Sequence, residues 1–462
     1  MTTSQPGRRT ATGGRGGVSS TAVLAVLLPA LTVGTLLLVR PHTPVDESRP
    51  PEPTTLKSAS VACPSAPEGG GTAYVANGVQ DVRGEVSVTA DGKSSSVPVR
   101  SGRVSRLPGS GPVVAEGEGD VASGLIGARF GERRLAAVDC PQPVPETWFT
   151  GVGAGTRHNS VLELTNPDAG QAVADVTVLA RSGEITADEL RGVTVPGNDS
   201  VRLDLSKAVP RRTELSLHVV VSRGRLAPTL LDEIPKLGAQ PLAQDWLPPQ
   251  AEPAEKSVLM GLPAGGGTHS LAVGNPGEDE VRATVKIVTA DAAFAPEGLD
   301  DVRVPPGTVQ TLNLSKQVQN AIKDGALGVE VTSTGPVTTG IRSYVDGDLS
   351  LAAPVVRGAK PMSLVVPSGQ SSVLLADAAG VGVVTVKSWN KAGKALKAKR
   401  VEVKPGPGGK VELPAGATLV QVDPGRTSVD AALLTTGDGA TVMPFRELVT
   451  DALIPDVRPG TL

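Results

Sequence analysis

The stretch Leu162–Pro167, with the sequence LELTNP, decides the fold of this chain because the chain repeats it. It returns as LAVGNP at Leu271–Pro276, a shift of 109 residues (166 to 275). The stretch Leu203–Lys207 returns at the same shift as Leu312–Lys316 (203 to 312). Separate anchors at one offset, with few identical residues between them, indicate a duplicated structural unit.

Apolar and polar residues alternate along the repeat. In Ala174–Val178, the alanine and both valines point to one side, whereas the aspartate and the threonine point to the other. This alternation is typical of antiparallel strands with one face on a core and one face in water. Turn residues such as Pro196-Gly197 separate the strands. The pattern predicts an all-β fold of tandem immunoglobulin-like β-sandwich units, although the Cys…Trp…Cys spacing of true immunoglobulin domains is absent.

The repeat has one helical insertion and two weaker copies. Ser315–Asp324 is predicted to be a helix with Ser315 as its N-cap. Val384 and Val403, toward the C-terminus, keep a spacing of 19 residues that also occurs in the two central copies (176 to 195, 285 to 304). A copy nearer the N-terminus follows the pattern most loosely.

The predicted segments are a cytoplasmic basic tail (1–17), a transmembrane signal-anchor helix (18–39), a proline-rich stalk (40–60), and four β-sandwich units (61–145, 146–253, 254–360 and 361–462). Short, proline-bearing joints between these units predict a semi-rigid row.

Composition limits the functions available to the chain. Only 2% of its 462 residues are aromatic, while it contains 55 glycines and 40 prolines. The predicted cores must therefore be aliphatic and thin. The net charge is −3, and we expect no basic tract outside the first residues. Nucleic acid is therefore not an expected partner, because neither a cationic stripe nor an aromatic stacking surface is expected.

The N-terminal region has the pattern of a membrane anchor. Arg8, Arg9 and Arg15 precede the almost uniformly apolar run Val18–Val39. About 20 apolar residues are enough to cross the hydrocarbon core, and a positive flank stays on the cytoplasmic side. The competing interpretation is a cleaved signal peptide, but no small-x-small cleavage site follows the run. We expect a single-pass cell-membrane protein with a cytoplasmic N-terminus and most of the chain outside the membrane.

The two cysteines, Cys63 and Cys140, bracket the first predicted unit. A disulfide is expected between them, because the compartment across the membrane is oxidising. Free thiols or redox catalysis are the alternatives, but two cysteines so far apart in sequence do not form a redox motif.

Groups that carry enzyme chemistry are sparse. His158 and His269 both precede the repeated Asn-Pro strand, yet no carboxylate or cysteine cluster accompanies them, so we expect exposed histidines at strand edges. No G-x-S-x-G motif occurs, and no serine has a recognisable base. The sequence therefore predicts neither an enzyme, nor a metal site, nor a cofactor site.

Trp148 and Trp246 lie at predicted unit junctions. A sugar ring can stack on an exposed aromatic side chain, so both residues are candidates for ligand stacking. The alternative, which we favour, is that each ring fills a joint between units.

Several motifs of this chain, taken together, resemble those of a known protein family. Trp148, the L-x-L-x-N-P strand at Leu162–Pro167, the turn at Val193–Gly197 and the LDLS sequence at Leu203–Ser206 follow a signal-anchor pattern. The combination resembles an actinobacterial family of membrane-anchored envelope proteins classed as a domain of unknown function, from about residue 60 onward. The resemblance supplies no catalytic residues to carry over.

These patterns favour a non-enzymatic, extracytoplasmic β-sandwich array that serves as an envelope scaffold or protein-interaction module. Its partner would be an unidentified envelope protein that contacts sheet edges and outward polar faces. The alternative function is binding of a cell-wall glycan or peptidoglycan, with Trp148 and Trp246 as stacking residues.

Overall fold

The computed structural model describes residues 20–38, 52–234 and 242–454. The protein is predominantly β, as expected from the alternating pattern. Chain contacts divide it into a large compact part, Thr54–Ala452, and a smaller part, Met1–Pro53 with Leu453–Leu462.

Helix α1 spans Ser20–Leu38, inside the predicted membrane span 18–39, and contains Pro29. Of the helices in the described ranges, none combines the length and the apolar character needed to cross a membrane. The predicted transmembrane helix is therefore not supported. The predicted cytoplasmic tail 1–17 and most of the predicted stalk, 40–51, lie outside the described residues. The first strand, β1, spans Glu52–Thr55.

Unit 1, the predicted segment 61–145, contains two four-stranded antiparallel sheets and the 3₁₀ turn Gly119–Val121. Its strands are β2 (Ser58–Cys63), β3 (Gly71–Asn77), β4 (Arg83–Ala90), β5 (Lys93–Arg100), β6 (Val104–Arg106), β7 (Val113–Glu118), β8 (Leu125–Gly131) and β9 (Ala137–Asp139). The sheet orders are β2-β7-β4-β5 and β6-β3-β8-β9. Aliphatic side chains from both sheets, such as Val75 and Val88, share one core.

Unit 2, the predicted segment 146–253, has the same plan with a larger core that includes Phe149, Leu164 and Val178. Its elements are β10 (Glu146–Gly155), β11 (His158–Thr165), β12 (Ala172–Ala180), β13 (Gly183–Ile185), the 3₁₀ turn Asp188–Leu190, β14 (Val193–Val195), β15 (Ser200–Asp204), α2 (Leu205–Ala208), β16 (Arg212–Arg223), β17 (Ala227–Ile234) and β18 (Ala243–Leu247). One sheet runs β10-β16-β12 and continues into β13 and β14. The other runs β15-β11-β17-β18.

Unit 3, the predicted segment 254–360, repeats this arrangement around a core that includes Leu271, Val285 and Val331. Its elements are β19 (Ala254–Met260), β20 (Gly267–Asn275), β21 (Val281–Thr289), β22 (Ala293–Phe294), β23 (Val302–Val304), β24 (Thr308–Asn313), α3 (Ser315–Lys323), β25 (Ala326–Val345) and β26 (Asp348–Ala352). The long strand β25 serves both sheets: its first half pairs with β19 and β21, and its second half pairs with β20 and β26. The predicted helix is confirmed as α3, but Asn313 rather than Ser315 provides the side-chain acceptor at its start.

Strand register confirms the shift of 109 residues. Leu162 on β11 pairs with Leu203 on β15, and Leu271 on β20 pairs with Leu312 on β24. Likewise, Ala172 pairs with Val195 in unit 2, and Val281 pairs with Val304 in unit 3. The duplicated sequence therefore specifies a duplicated hydrogen-bond ladder.

The buried asparagine of the repeated motif explains its recurrence. The side-chain nitrogen of Asn166 donates to the carbonyls of Gly170 (2.7 Å) and Val195 (3.3 Å). Asn275 donates in the same way to Asp279 (2.7 Å) and to the carbonyl of residue 304 (2.9 Å). In both copies the side-chain oxygen accepts from the backbone two residues on. The asparagine thus satisfies turn carbonyls that would otherwise be buried without a partner.

Unit 4, the predicted segment 361–462, keeps the strand order without the helical insertion. Its strands are β27 (Met362–Val365), β28 (Gln370–Ala376), β29 (Gly382–Asn390), β30 (Lys399–Val403), β31 (Gly409–Glu412), β32 (Ala417–Asp423), β33 (Asp430–Gly437) and β34 (Gly439–Pro444). Its sheets run β27-β32-β29-β30 and β31-β28-β33-β34. The last strand, β35 (Asp451–Ile454), pairs with β1.

The immunoglobulin-like part of the fold prediction is not confirmed. In units 1 and 4 the first strand pairs with the strand in the sixth position, as β2 pairs with β7 and β27 with β32. In units 2 and 3 the first strand pairs with the seventh, β10 with β16 and β19 with β25. In immunoglobulin constant domains the first strand instead lies beside the second, in the sheet ABED. The units therefore share a two-sheet architecture with immunoglobulin domains but have a different strand order.

The units of Thr54–Ala452 form a closed arrangement rather than the predicted row. Apolar clusters join unit 1 to unit 2, unit 2 to unit 3, and unit 3 to unit 4. A further cluster joins unit 4 back to unit 1, and the Gln421 side chain donates to the Gly78 carbonyl (2.8 Å) across that contact. Proline-rich joints therefore do not hold the units apart, because the outer faces of their sheets pack on one another.

Candidate functional site

The last strand of each unit lies at a common junction. Strand β9 contacts β18 and β34, and β26 contacts both β18 and β34, so the four strands close a ring. We call this arrangement the four-strand junction. Among the contacts of the described residues, it is the one place where polar side chains connect all four units by hydrogen bonds.

Asp245, on β18, is the central residue of the four-strand junction and is fully buried. Its Oδ1 atom accepts hydrogen bonds from the backbone nitrogens of Ala137 (3.2 Å) and Trp246 (2.9 Å). The Thr441 hydroxyl lies 3.0 Å from Oδ1 and 3.2 Å from Oδ2. One carboxyl group thus joins unit 1, unit 2 and unit 4.

Asp348, at the start of β26, adds the third unit to the junction. Its Oδ2 atom accepts from the Ala440 nitrogen (2.9 Å), and Arg134 lies 3.3 Å from its Oδ1 atom. Arg134 also donates to the Gly347 carbonyl (2.8 Å). A Cβ atom at Gly439 would lie 2.2 Å from the Asp348 carboxylate, and this residue has φ +116. Only glycine permits so close an approach.

Burial sets the protonation of both carboxyl groups. It raises the pKa of Asp245 well above its usual value, and the nearby Asp348 raises it further, although hydrogen bonds from Ala137, Thr441 and Trp246 oppose the shift. Burial also raises the pKa of Asp348, against the attraction of Arg134. A buried carboxyl group beside another favours its neutral form, which suits a structural contact better than an acceptor for a metal ion.

A cavity of about 330 Å³ opens beside the junction. Half of its lining residues are charged or polar: Glu68, Glu132, Arg133, Arg134 and Gln244. Two acidic and two basic side chains line the cavity, so it does not select strongly for an anion or a cation.

A second polar cluster lies where unit 2 meets unit 3, around the buried Asp232 on β17. The Ser160 hydroxyl donates to its Oδ1 atom (2.6 Å), and the His158 Nε2 atom lies 2.9 Å from the same oxygen. Arg342 of unit 3 reaches its Oδ2 atom at 3.3 Å. Burial alone would raise the pKa of Asp232, but the attraction and hydrogen bond of His158, with Arg342 and Ser160, lower it.

The Asp232 cluster has serine, histidine and aspartate but not the order of a hydrolase triad. In a triad the histidine stands between the serine and the carboxylate and takes the serine proton. Here the serine and the histidine both bind the carboxylate. The serine oxygen also accepts from the Gly153 nitrogen (3.0 Å). The cluster therefore stabilises the joint between two units and offers no activated nucleophile.

The expectation of exposed histidines is wrong for both residues. His158 is 8% exposed and His269 is 0% exposed. The registers 160–232 and 269–343 correspond between the two units. At this position unit 2 pairs Ser160 with Asp232, whereas unit 3 pairs His269 with Ser343 at 2.9 Å. The polar side chains on these strand faces contact a neighbouring strand or unit and not water.

The Asp232 cluster predicts an acid-dependent loss of stability. Because the folded pKa of Asp232 is lowered, its contribution is present above the unfolded value and disappears as pH falls through the folded value. We expect Asp232→Asn to lower the free energy of unfolding by about 2 kcal/mol at pH 7, through loss of charge-assisted hydrogen bonds. Urea unfolding should show that the difference from the native chain shrinks in acid. An equal loss at pH 7 and in strong acid would contradict the ion-pair explanation, and Ser160→Ala, which removes one donor, should cost less.

Both candidate stacking residues are buried between units. Trp148 is 5% exposed; it stacks on His218 at 3.9 Å between ring centroids and contacts Ala272 and Val309 of unit 3. Trp246 is 1% exposed and packs with Ala136 and Val138 of unit 1. As placed here, the rings fill joints and neither face is open to a sugar. Ligand stacking by these two residues stays a prediction.

The contact between unit 2 and unit 3 includes a very close backbone approach. A Cβ atom at Gly340, on β25, would lie 2.0 Å from the carbonyl oxygen of Thr150, on β10. We therefore expect Gly340→Ala to lower the free energy of unfolding by about 2 kcal/mol, as overpacking does in a tight interior. Gly170→Ala is the matched control, because nothing lies within 4 Å of a Cβ atom there. Equal thermal stability of the two variants would refute a tight contact.

The predicted disulfide is present between Cys63, at the end of β2, and Cys140, just after β9. Both cysteines are buried, and the pair ties the first strand of unit 1 to the strand that enters the four-strand junction. Among the residues that the structure describes, no group of three or more His, Cys, Asp or Glu side chains has the arrangement of a metal site.

Comparison with known protein families matches residues 113–414 to a family of unknown function (DUF5719). The match begins in β7 and ends just after β31, so it includes units 2 and 3 completely. The resemblance to a family of unknown function is thus confirmed, over a shorter range than expected. No curated protein matches the chain.

Proposed function

The chain belongs to this family of unknown function, and we propose that it is a non-enzymatic, extracytoplasmic β-sheet array that acts as an envelope scaffold or protein-interaction module. The proposal depends above all on one observation, the four-strand junction. Domains joined by short linkers usually move relative to one another unless large or apolar contacts hold them. Here apolar clusters and buried carboxyl groups join the units in a closed arrangement. A scaffold benefits from this, because its binding surfaces then keep fixed positions.

The disulfide supports the proposed location. Disulfides persist in oxidising compartments and are uncommon in the cytosol. Cys63 and Cys140 are joined and buried in the folded unit 1. A membrane anchor at 18–39 belongs to the same proposal, and its support is the apolar sequence alone. A reporter fused to the C-terminus tests both points, because activity of an alkaline phosphatase fusion requires export, whereas cytosolic fluorescence of the fused chain would refute them.

The scaffold role is tested by crosslinking in the native envelope. A photoreactive residue is placed on an exposed sheet edge, for example at Arg400 on β30, and a matched residue at Arg181, an exposed position of unit 2, is the control. The proposal expects one protein captured in stoichiometric amounts from the edge position and little from the control. A monomeric chain in native extracts, without any edge-specific crosslink, would overturn it. Hydrolysis of an envelope substrate by the purified chain would overturn the non-enzymatic part.

Cell-wall glycan or peptidoglycan binding is the second candidate. Trp148 and Trp246 do not favour it as they are placed, because both rings are buried. The conservative variants Trp148→Phe and Trp246→Phe preserve an apolar filling of each joint. If retention on purified cell-wall material is lost in these variants while the melting temperature is unchanged, the rings bind the glycan and the scaffold proposal gives way to this one.

A further inference from the structure

Unit 4 carries a dense run of cations that the net charge of −3 conceals. The expectation of no basic tract beyond the N-terminus is wrong. Residues 387–410 contain eight lysine or arginine residues and a single acid, Glu402. Seven of the eight cations are exposed: Lys391, Lys394, Lys397, Lys399, Arg400, Lys404 and Lys410. We call these seven residues the basic surface.

The cations of the basic surface have few anionic partners. Lys387, the eighth and less exposed one, pairs with Asp423 at 3.5 Å. Lys399 donates to the Glu412 carbonyl at 2.6 Å, which leaves its charge uncompensated. Within the described parts of the chain, none of the seven residues forms an ion pair. Seven exposed cations beside a single acid make residues 387–410 a locally positive surface, and such a surface attracts anions.

The loop that presents three of these lysines has a defined conformation. Asn390 closes it: the side-chain oxygen accepts from the nitrogens of Ala392 and Lys394, both at 3.1 Å. The backbone of Leu396 donates to the Ser388 carbonyl (2.8 Å), which returns the chain toward β30. The loop backbone is therefore fixed by its own hydrogen bonds before any ligand arrives, which reduces the entropy lost on binding.

Unit 1 supports the same loop and extends its charge. A Cβ atom at Gly393 would lie 2.5 Å from the Cγ atom of Arg103, so the stem of this arginine packs directly on the turn. Gly102 approaches Trp389 in the same way, with 2.8 Å from a Cβ atom to Cδ1. Arg103 is exposed and adds a cation beside the basic surface. The surface thus crosses the contact between unit 4 and unit 1.

We propose that the basic surface binds a linear anionic polysaccharide, one that carries a phosphodiester or carboxylate group in each repeat. The proposal goes beyond the scaffold role and does not depend on it, because it requires only the exposed charge of the seven cations and no protein partner. The side chains between the lysines, Ala392, Ala395 and Ala398, are small. They give too little apolar area to insert into a bilayer, so a membrane surface is the less suitable partner.

Nucleic acid suits the basic surface less than a polysaccharide does. Single-stranded binders stack bases on exposed aromatic rings between their cations. The sole aromatic residue of 387–410 is Trp389, which is partly buried and packed on Gly102. The surface therefore offers charge without a stacking platform, the combination that a non-aromatic polyanion needs.

Binding of the full chain to defined polymers tests the proposal. The probes are poly(glycerol phosphate), polygalacturonate and neutral dextran, measured by biolayer interferometry in mild detergent, with duplex DNA and phosphatidylglycerol vesicles as competing ligands. We expect binding to either or both acidic polymers and none to dextran. Because each cation near an anionic surface contributes about a factor of five, the triple variant Lys391→Gln, Lys394→Gln, Lys397→Gln should bind on the order of 100-fold more weakly.

The control removes the same charge elsewhere. Arg181→Gln, Arg191→Gln and Lys323→Gln change three exposed cations of units 2 and 3 and should alter affinity less than about twofold, since screening limits long-range effects. Equal losses in the two triple variants, failure to bind both acidic polymers at low salt, or tighter binding to duplex DNA or to vesicles would each overturn the proposal. The edge-specific crosslink of the scaffold experiment should persist in the Lys391, Lys394, Lys397 variant, so the two proposals fail separately.

Discussion

Replacing Asp245 with alanine is expected to lower the free energy of unfolding by about 4 kcal/mol, because it leaves three buried donors without an acceptor. These donors are the nitrogens of Ala137 and Trp246 and the hydroxyl of Thr441, which belong to three different units. The loss should therefore appear as a looser assembly of units as well as a lower urea midpoint. Small-angle scattering of the folded variant checks for the looser assembly, and urea unfolding measures the energy. An alanine variant with native stability would show that the carboxyl group does not join the units.

Asp245→Asn distinguishes the role of the hydrogen-bond acceptor from that of the negative charge, because asparagine keeps the acceptor and cannot ionise. The amide keeps an oxygen for the backbone donors and nearly the same volume, so at pH 4 we expect a change of less than about 1 kcal/mol. The native carboxyl has a raised folded pKa, so its stabilising contribution is complete below the unfolded pKa and is lost as pH rises toward the folded value. Between pH 4 and pH 8, the free energy of unfolding of the asparagine variant should consequently rise relative to that of the native chain.

Comparing the two chains at each pH removes the contributions of other groups. Burial also raises the pKa of Asp139 to about 6, opposed by Arg446, and that of Asp430 to about 7, opposed mainly by Arg357. Both residues make the native chain and the Asp245→Asn variant less stable as pH rises, so their effect cancels in the difference. A difference that stays constant from pH 4 to pH 8 would show that folding does not raise the pKa of Asp245.

Period-two alternation and a single offset were sufficient to predict the strands of the central units, but not which strands pair. Leu162 and Leu271 occupy equivalent registers because the repeat conserves both the spacing and the apolar face. The disulfide could also be predicted, since two cysteines in a chain expected outside the cytosol have one possible pairing. These features depend on local pattern, which a sequence displays directly.

The four-strand junction could not be predicted, because it depends on contacts between distant segments. In the sequence, Asp245 is a polar residue in a short strand and looks like a side chain that faces water. The alternation rule assigns polar residues to solvent, but here the outer face of one unit is covered by another. His158 was misjudged for the same reason, since it binds the buried Asp232, which Arg342 of unit 3 also contacts. The basic surface, in contrast, was visible in the sequence as the recurrence of lysine from 387 to 410, and a local charge count would have found it.

The second large effect is expected from loss of the disulfide. The bond closes a loop of 77 residues. Removing such a crosslink enlarges the conformational entropy of the unfolded chain, which corresponds to about 4.5 kcal/mol at 25 °C. Cys63→Ala with Cys140→Ala should therefore lower the free energy of unfolding of unit 1 by about this amount. Urea unfolding of the double variant measures it, and reduction of the native chain with dithiothreitol should produce the same shift.

The position of the bond makes the effect extend beyond unit 1. Cys140 directly follows β9, the strand that brings the Ala137 donor to Asp245. Loss of the disulfide leaves β9 less restrained and so weakens the hydrogen bond from Ala137 to Asp245. Asp245→Ala removes the same hydrogen bond, so the two changes act on one interaction. Because residues that share an interaction are not additive, the chain with both alterations should lose at least about 1 kcal/mol less than the sum of the separate losses. Strict additivity in this double-mutant cycle would show that the disulfide stabilises unit 1 alone and that the four-strand junction is held independently of it.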